Sequence, residues 1–476
     1  MKWVREVEIQ PRSPAGFAGV LGSDAYEQLE AAVVRIKRRL GRRVIWNVNS
    51  TATGGGVAEL LHSLLAYARG LSVDTRWLVI GGSPEFFRIT KRIHNAMHGE
   101  TGDGSELGPA EREEYERTTL ANAREMRELV RPKDFVILHD PQTAGLVAHL
   151  HEHGARVVWR CHIGADEPSP EVERAWSFLA PYLKLANGFV FTRFAYIPAI
   201  CDHGRSVIVP PTINPFAPKN QELSEATVRA ILVRTGLVAG AAKAAPEFQL
   251  EDGSRCSVKR AAEVVREAEA PPWETPLVVQ VSRWDRLKDP VGVLKGFDAG
   301  LDRCDLAGAH LVLAGPDVRA VADDPEGAEV FQEVLAVWRA LPEARRRRVH
   351  LANLPMDDLD ENAAIVNALQ RHAAVVVQKS LREGFGLTLT EAMWKARPVI
   401  ASAVGGLQDQ IEHGDSGLLL GDARDLDAFA AALELLLTDR ELAERLGRKA
   451  RHRAGQLYLG LFSLTRYADL IERFDR

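Results

Sequence analysis

Short apolar runs alternate with longer stretches of helical spacing along most of this chain. In the first half the runs are Val44 to Asn49, Phe135 to Leu138, Val157 to Arg160 and Gly188 to Phe191. Runs of this length bounded by polar residues read as buried strands. Between them Val57, Leu60, Leu61, Leu64 and Leu65 fall at i, i+3, i+4, i+7 and i+8, one apolar stripe of a helix. This alternation predicts a parallel, doubly wound sheet, since parallel neighbours need a crossover that a helix can supply. The first Rossmann-like half ends near Pro210-Pro211. Ahead of it, residues 1–40 read as a polar lead followed by a helix over roughly 25–40.

The pattern breaks at about 212–274. Ser224 is placed to cap a helix over 225–235 that stops at Gly236, with Leu223 and Val228 as a hydrophobic staple. Ala241 to Pro272 is rich in Ala, Glu and Pro without periodicity, and reads as a partly mobile insertion near a domain junction. The alternation restarts with Leu277 to Val281, His310 to Ala314, Val349 to Leu351, Ala374 to Gln378 and Val399 to Ala401. From about 424 the tail is helical, with Asp425 or Asp427 near its start, and it ends in an amphipathic stretch around Leu461 to Phe474. The expected division is a first domain over 1–215, a junction over 216–274, a second domain over 275–454 and a last helix over about 455–476.

Composition narrows the class. A chain of 476 residues exceeds one ordinary domain. A net charge of -5 gives no footprint for nucleic acid. The basic cluster Arg345 to Arg348 reads as a solvated helix end. Cys161, Cys201, Cys256 and Cys304 are scattered, without C-x-x-C or metal spacing, which points to a reducing cytoplasm. The opening MKWVREVEIQ lacks the apolar core of a signal peptide, and no apolar run nears the ~18 residues that span a membrane.

The candidate chemistry sits where predicted strands end. Arg382-Glu383-Gly384-Phe385-Gly386-Leu387-Thr388-Leu389-Thr390-Glu391 follows an apolar strand and enters a helix that Pro398 closes off. It places Glu383 on the loop, Glu391 about one turn inside the helix, and the Leu387 and Thr388 amides at a helix N-terminus suited to phosphate. Read alone, the two glutamates also fit the positive end of a helix dipole. Ser50-Thr51-Ala52-Thr53-Gly54-Gly55-Gly56 follows the first strand, and its glycines allow close backbone approach to an anion. It is not the G-x-G-x-x-G of dinucleotide enzymes. His139-Asp140-Pro141-Gln142 and Arg160-Cys161-His162 follow two further strands, and Arg283 and Lys288 follow the first strand of the second half. Asp358-Leu359-Asp360 reads as a helix cap rather than a metal motif.

The segment EGFGLTLTE resembles the E-x7-E signature of retaining glycosyltransferases of the GT-B fold, and the order of motifs fits that family over the whole chain. VNSTATGGGVAELL, LHDPQ, RCHI, VQVSRWDRLKDP and REGFGLTLTEAMWK together are similar to trehalose-forming glycosyltransferases, which include trehalose glycosyltransferring synthases and retaining trehalose phosphorylases. The resemblance implies two Rossmann-like domains facing a cleft, with the C-terminal helix crossing back to the first. It implies glucose transfer from a nucleoside diphosphate glucose to glucose with retention, without a required metal or cofactor, by a cytoplasmic homodimer that binds no nucleic acid and no membrane. It assigns Glu383, Arg283, Lys288 and His162 to catalysis. Gly55, Gly56, Gly384, Phe385, Gly386, Leu387, Thr388 and Glu391 go to the donor, with Glu391 on the ribose, and His139, Asp140 and Gln142 to the acceptor. The long stretch 237–274 departs from the family and bears on acceptor choice.

Other readings stay open at this point. On the same scaffold inorganic phosphate and trehalose give glucose 1-phosphate, or a different acceptor is used. A glycosidase would need two carboxylates about 5–9.5 Å apart around a scissile bond, and would leave Arg283 and Lys288 without a task. A non-catalytic nucleotide-sugar sensor and a dehydrogenase account for fewer of these residues.

Overall fold

The computed structural model describes residues 3–53, 56–101, 105–318 and 325–475. The chain forms two compact units, Met1–Thr212 with Tyr458–Arg476, and Ile213–Leu457. Residues 216–274, expected as a junction, lie with the second unit.

The first unit is built on β1 (Val4–Val7), β2 (Ile45–Asn49), β3 (Thr75–Ile80), β4 (Phe135–His139), β5 (Arg156–Cys161), β6 (Gly188–Phe191) and β7 (Ser206–Ile208). They form a sheet in the order β1-β3-β2-β4-β5-β6-β7, parallel except for β1. Every residue of β2, β4 and β6 is buried, as in a sheet covered by helices on both faces. The polar lead is corrected by the structure: Val4–Val7 is an edge strand and Gly16–Leu21 a helix. Of Val4, Arg5 and Glu6 only Val4 is buried, so this edge strand leaves no apolar run in the sequence. The final helix Gly460–Phe474 packs on Ser23–Leu40 within this unit. Asp475 there pairs with Arg39 and Arg43, and Thr212 and Ser463 share a hydrogen bond of 2.9 Å.

The second unit carries a hairpin of β8 (Glu247–Gln249) and β9 (Arg255–Ser257). Its main sheet is formed by β10 (Glu263–Val265), β11 (Leu277–Val281), β12 (His310–Pro316), β13 (Val349–Leu354), β14 (Val375–Gln378), β15 (Val399–Ser402) and β16 (Leu418–Leu420). The order is β10-β13-β12-β11-β14-β15-β16, parallel except for β10, which pairs antiparallel with β13. The stretch read as an aperiodic insertion thus supplies a hairpin and an edge strand, each of three residues. Such short strands are below the length at which alternation shows.

Local signals explain most helix ends. Ser224 accepts from the Thr227 amide at 3.1 Å and caps Glu225–Arg234, and Gly236 beyond it has φ +73°. Asp425 caps Leu426–Thr438. Asp358 accepts from the Asp360 and Glu361 amides and caps Leu359–His372. The Arg345 to Arg348 cluster is less solvated than expected: Arg345 pairs with Asp298 and Asp302, Arg346 with Glu267, and Arg348 with Asp305.

Candidate active site

Each sheet reverses its strand order once, and polar groups gather at the carboxyl ends of the strands on either side of that point. In open α/β sheets this is where ligands bind.

In the second unit the reversal lies between β11 and β14. The loop after β11 carries Arg283 and Lys288, and the loop after β14 carries Glu383. Lys288 Nζ donates to Glu383 Oε2 at 2.6 Å, and Ser380 Oγ donates to the same oxygen at 3.2 Å. The two loops are clamped below this contact. The Leu381 amide donates to Leu287 O at 2.8 Å, and Gln280 Nε2 donates to Lys288 O at 2.8 Å. Fully buried Lys379 pairs with Asp289, whose side chain also caps Pro290–Arg303 through the Gly292 amide. A buried ion pair adds little net stability, but it fixes geometry. Arg283 extends into solvent with two thirds of its side chain exposed and pairs with Asp285 at 3.0 Å.

The helix Leu387–Trp394 begins at Gly386, which adopts the left-handed conformation at φ +82°. This bend turns the chain from Gly384 and Phe385 into the helix and puts the Leu387 and Thr388 amides in its first turn, where helix N–H groups lack partners. Gln410 holds the bend by donating to Phe385 O at 2.5 Å, while Thr390 Oγ1 donates to Gln410 Oε1 at 2.6 Å. Glu391 lies in the second turn and is buried, with Lys219 Nζ 3.7 Å from Oε1. Lys395, one turn on, donates to Glu391 O, Gln370 Oε1 and Asn220 Oδ1. Burial drives its pKa down to about 7 against the pull of Glu391.

A Cβ at position 386 would lie 2.4 Å from Leu407 Cδ2 and 3.2 Å from Glu383 Cγ, in a backbone region that L side chains avoid. Gly386→Ala is therefore expected to cost roughly 1–3 kcal/mol of stability and to move Glu383 off Lys288. Thermal unfolding and steady-state rates check this: a lowered midpoint with reduced turnover is expected, and an unchanged protein would contradict it.

In the first unit the reversal lies between β2 and β4. β2 ends at Asn49, whose side chain accepts from Trp77 Nε1 at 2.8 Å and donates to Thr51 O at 2.7 Å. Gly55 lies outside the described residues, and Gly56 is the first residue of the helix Gly56–Gly70. β4 ends at His139, with both ring nitrogens engaged: Nε2 is 3.1 Å from Asn47 Oδ1 and Nδ1 is 3.0 Å from His162 Nε2. His139 is fully buried, which places it behind His162 rather than at a surface. Asp140 has φ +64°, a strained conformation for this residue type, and accepts from the His162 amide at 2.8 Å. Burial pushes its carboxyl up to about 7, against that hydrogen bond and the charge of Arg160. Burial first, then Arg160, holds both His139 and His162 well below the usual imidazole range. Gln142 is half-buried in the single turn Pro141–Thr143.

Several supporting residues escaped the sequence reading: Ser380, Lys379, Gln410, Lys219 and Lys395 in the second unit, and Asn47 and Thr75 in the first. Asn47 was marked by a signal, a polar side chain inside the apolar run Val44 to Asn49. Lys219 reaches Glu391 from a distant segment, which spacing does not reveal, whereas Lys395 stands four residues beyond Glu391, a spacing the sequence does show.

Comparison with known proteins bears on the family and the fold. The family described as "Trehalose synthase, N-terminal domain" matches residues 47–198, and "Glycosyl transferases group 1" matches residues 262–453. A trehalose synthase of Pyrococcus horikoshii is 32% identical over 468 residues, covering 98% of both chains. A trehalose phosphorylase of Pleurotus pulmonarius is 28% identical, covering 85% of this chain and 53% of the fungal one. Among solved structures, an alpha,alpha-trehalose-phosphate synthase (UDP-forming) of Burkholderia vietnamiensis superimposes with a TM-score of 0.65 at 16% identity, covering 90% of this chain and 96% of that one. That likeness is one of fold, and the fold is that of the GT-B glycosyltransferases. With near full-length identity to a synthase above the level of chance resemblance, the chain belongs to the trehalose synthase family, a trehalose-related branch of the glycosyltransferases.

Proposed function

We propose that this chain moves glucose from a nucleoside diphosphate glucose to free glucose, with retention, and so forms trehalose. The observation that carries the reading is the contact of Lys288 with Glu383 at the reversal point of the second sheet, beside the Gly386 bend. A cation and an anion held there match the two charges of the reaction. The bond from the anomeric carbon to the diphosphate breaks and leaves negative charge on the phosphate oxygen, while positive charge develops on the sugar.

In this reading Arg283, Lys288 and the Leu387 and Thr388 amides hold the diphosphate, and fixed donors of this kind stabilise a leaving group most where water is excluded. Glu383 grips the donor's hydroxyls and steadies the positive anomeric carbon, Gly384 and Phe385 line the bend, and Glu391 takes the ribose. The incoming hydroxyl attacks on the face that the diphosphate leaves, and its proton passes to the departing phosphate oxygen. In the first unit His162, Asp140 and Gln142 act on sugar hydroxyls, with His139 positioning His162. Protein cations carry the phosphate charge, so the reading invokes no metal or organic cofactor. It takes the chain as a cytoplasmic homodimer; no helix among the described residues is long and apolar enough to cross a membrane.

The second reading, phosphorolysis of trehalose, draws on the similarity to the phosphorylase. Product formation from glucose with ADP-, UDP- and GDP-glucose, each against glucose 1-phosphate, separates the two. Trehalose from a nucleotide donor alone is the expected result and names the base. Trehalose from glucose 1-phosphate alone would replace the proposal with the phosphorylase.

A further inference from the structure

His162 sits at the end of a hydrogen-bonded line that runs into the interior of the first sheet. Thr75 Oγ1 donates to Ile45 O at 3.2 Å. A hydroxyl has one proton, so toward Asn47 Thr75 can only accept, and it does so from Asn47 Nδ2 at 3.5 Å. That sets the Asn47 amide with Oδ1 facing His139 Nε2, at 3.1 Å. An amide oxygen accepts only, so His139 carries its proton on Nε2. A neutral ring has one N–H, so His139 Nδ1 is an acceptor. The partner of Nδ1 is His162 Nε2 at 3.0 Å, with the two rings within 14° of parallel, so His162 carries its proton on Nε2. Its remaining nitrogen, Nδ1, is then a lone pair with no protein partner among the described residues.

We propose that Thr75 and Asn47 are positioning residues that fix His162, through His139, as the neutral Nε2–H tautomer. Nδ1 is thereby presented as an acceptor for a sugar hydroxyl. The tautomer follows from the hydrogen bonds together with a neutral His139, which its burial favours; its use on a sugar rests on the function proposed above. The line also gives no route for a proton to be relayed inward from His162. A proton arriving at Nδ1 could not pass through Nε2 to His139 and then to the Asn47 amide, which does not take one. Desolvation acts in the same direction, since it disfavours an imidazolium on either ring.

The test uses the whole enzyme with ring-15N histidine, and long-range proton–nitrogen spectra at neutral pH. The His162 signals are assigned by their loss in His162→Gln. A protonated Nε2 and an unprotonated Nδ1 are expected. A proton on Nδ1, or a charged ring, would overturn the proposal. Thr75→Val removes the acceptor that sets the Asn47 amide, and is expected to give a mixture of His162 tautomers. The same variant should raise KM for the sugar substrate about tenfold, the worth of one neutral hydrogen bond. Thr75→Ser keeps the oxygen and should restore both readouts; failure of Ser to restore the tautomer would count against the line. A merely structural role for Thr75 would leave the tautomer unchanged. A tautomer mixture with an unchanged KM in Thr75→Val would refute the sugar contact while leaving the line intact, and so separates the two parts.

Discussion

Lys288→Met is expected to lower kcat by about 10²- to 10³-fold while the protein still folds. Methionine keeps most of the aliphatic stem and removes the charge. In the proposed reaction, departure of the diphosphate puts negative charge on oxygens that Lys288 would meet, and its ammonium is already fixed 2.6 Å from Glu383 Oε2. The fixation matters because a cation that must be gathered from solvent at the moment of reaction gives back much of its benefit. Lys288 and Glu383 are mostly buried, so part of the loss comes from leaving Glu383 without its ammonium. Ser380 still donates to that carboxylate and limits the effect on stability. Steady-state rates and thermal unfolding together check the expectation. A normal kcat in a folded variant would remove Lys288 from the leaving-group role.

Glu383→Gln should also reduce kcat by about 10²-fold or more. Glutamine can keep hydrogen bonds to hydroxyls, so donor affinity should fall less than turnover. On the proposed role, what is lost is the negative charge opposite the positive anomeric carbon, an interaction that strengthens only in the transition state. In the double variant Lys288→Met/Glu383→Gln the losses should not add, because either single change already leaves one member of a close pair unmatched. Rates from the four proteins give the coupling. Strict additivity would mean that the two residues act independently, and the paired geometry would then have no part in turnover.

Much of the second unit was legible because its strands are continuous apolar runs: Leu277–Val281 begins and ends where the pattern placed it. The loop from Glu383 to Glu391 was legible because glycines, a strand before and a helix after constrain it tightly. In the first unit, β3 left a signal that was not used: Trp77 to Ile80 is apolar and abuts Gly81-Gly82, but Arg76 interrupts the run. That arginine lies over the Trp46 ring, so its charge stays compatible with the strand. Edge strands β1 and β10 were hidden by their charged residues and short length. Within the candidate site, strand-end residues were found by position, because a doubly wound sheet brings strand ends together. The residues that hold them in place were not. Lys379 with Asp289, or Asn47 with Thr75, are matched across long stretches of sequence, and only the folded register places them side by side. His139 shows the limit from the other side: its motif suggested a ligand contact, while its burial between Asn47 and His162 makes it a support in our reading.

The most direct test of the central claim is to follow, by carbon NMR, the nucleotide glucose that proves active in the donor comparison, labelled at its anomeric carbon, as it reacts with unlabelled glucose. The label is expected to appear in an α,α-1,1-linked disaccharide as nucleoside diphosphate is released. Label appearing in free glucose, or in a β-linked product, would contradict it.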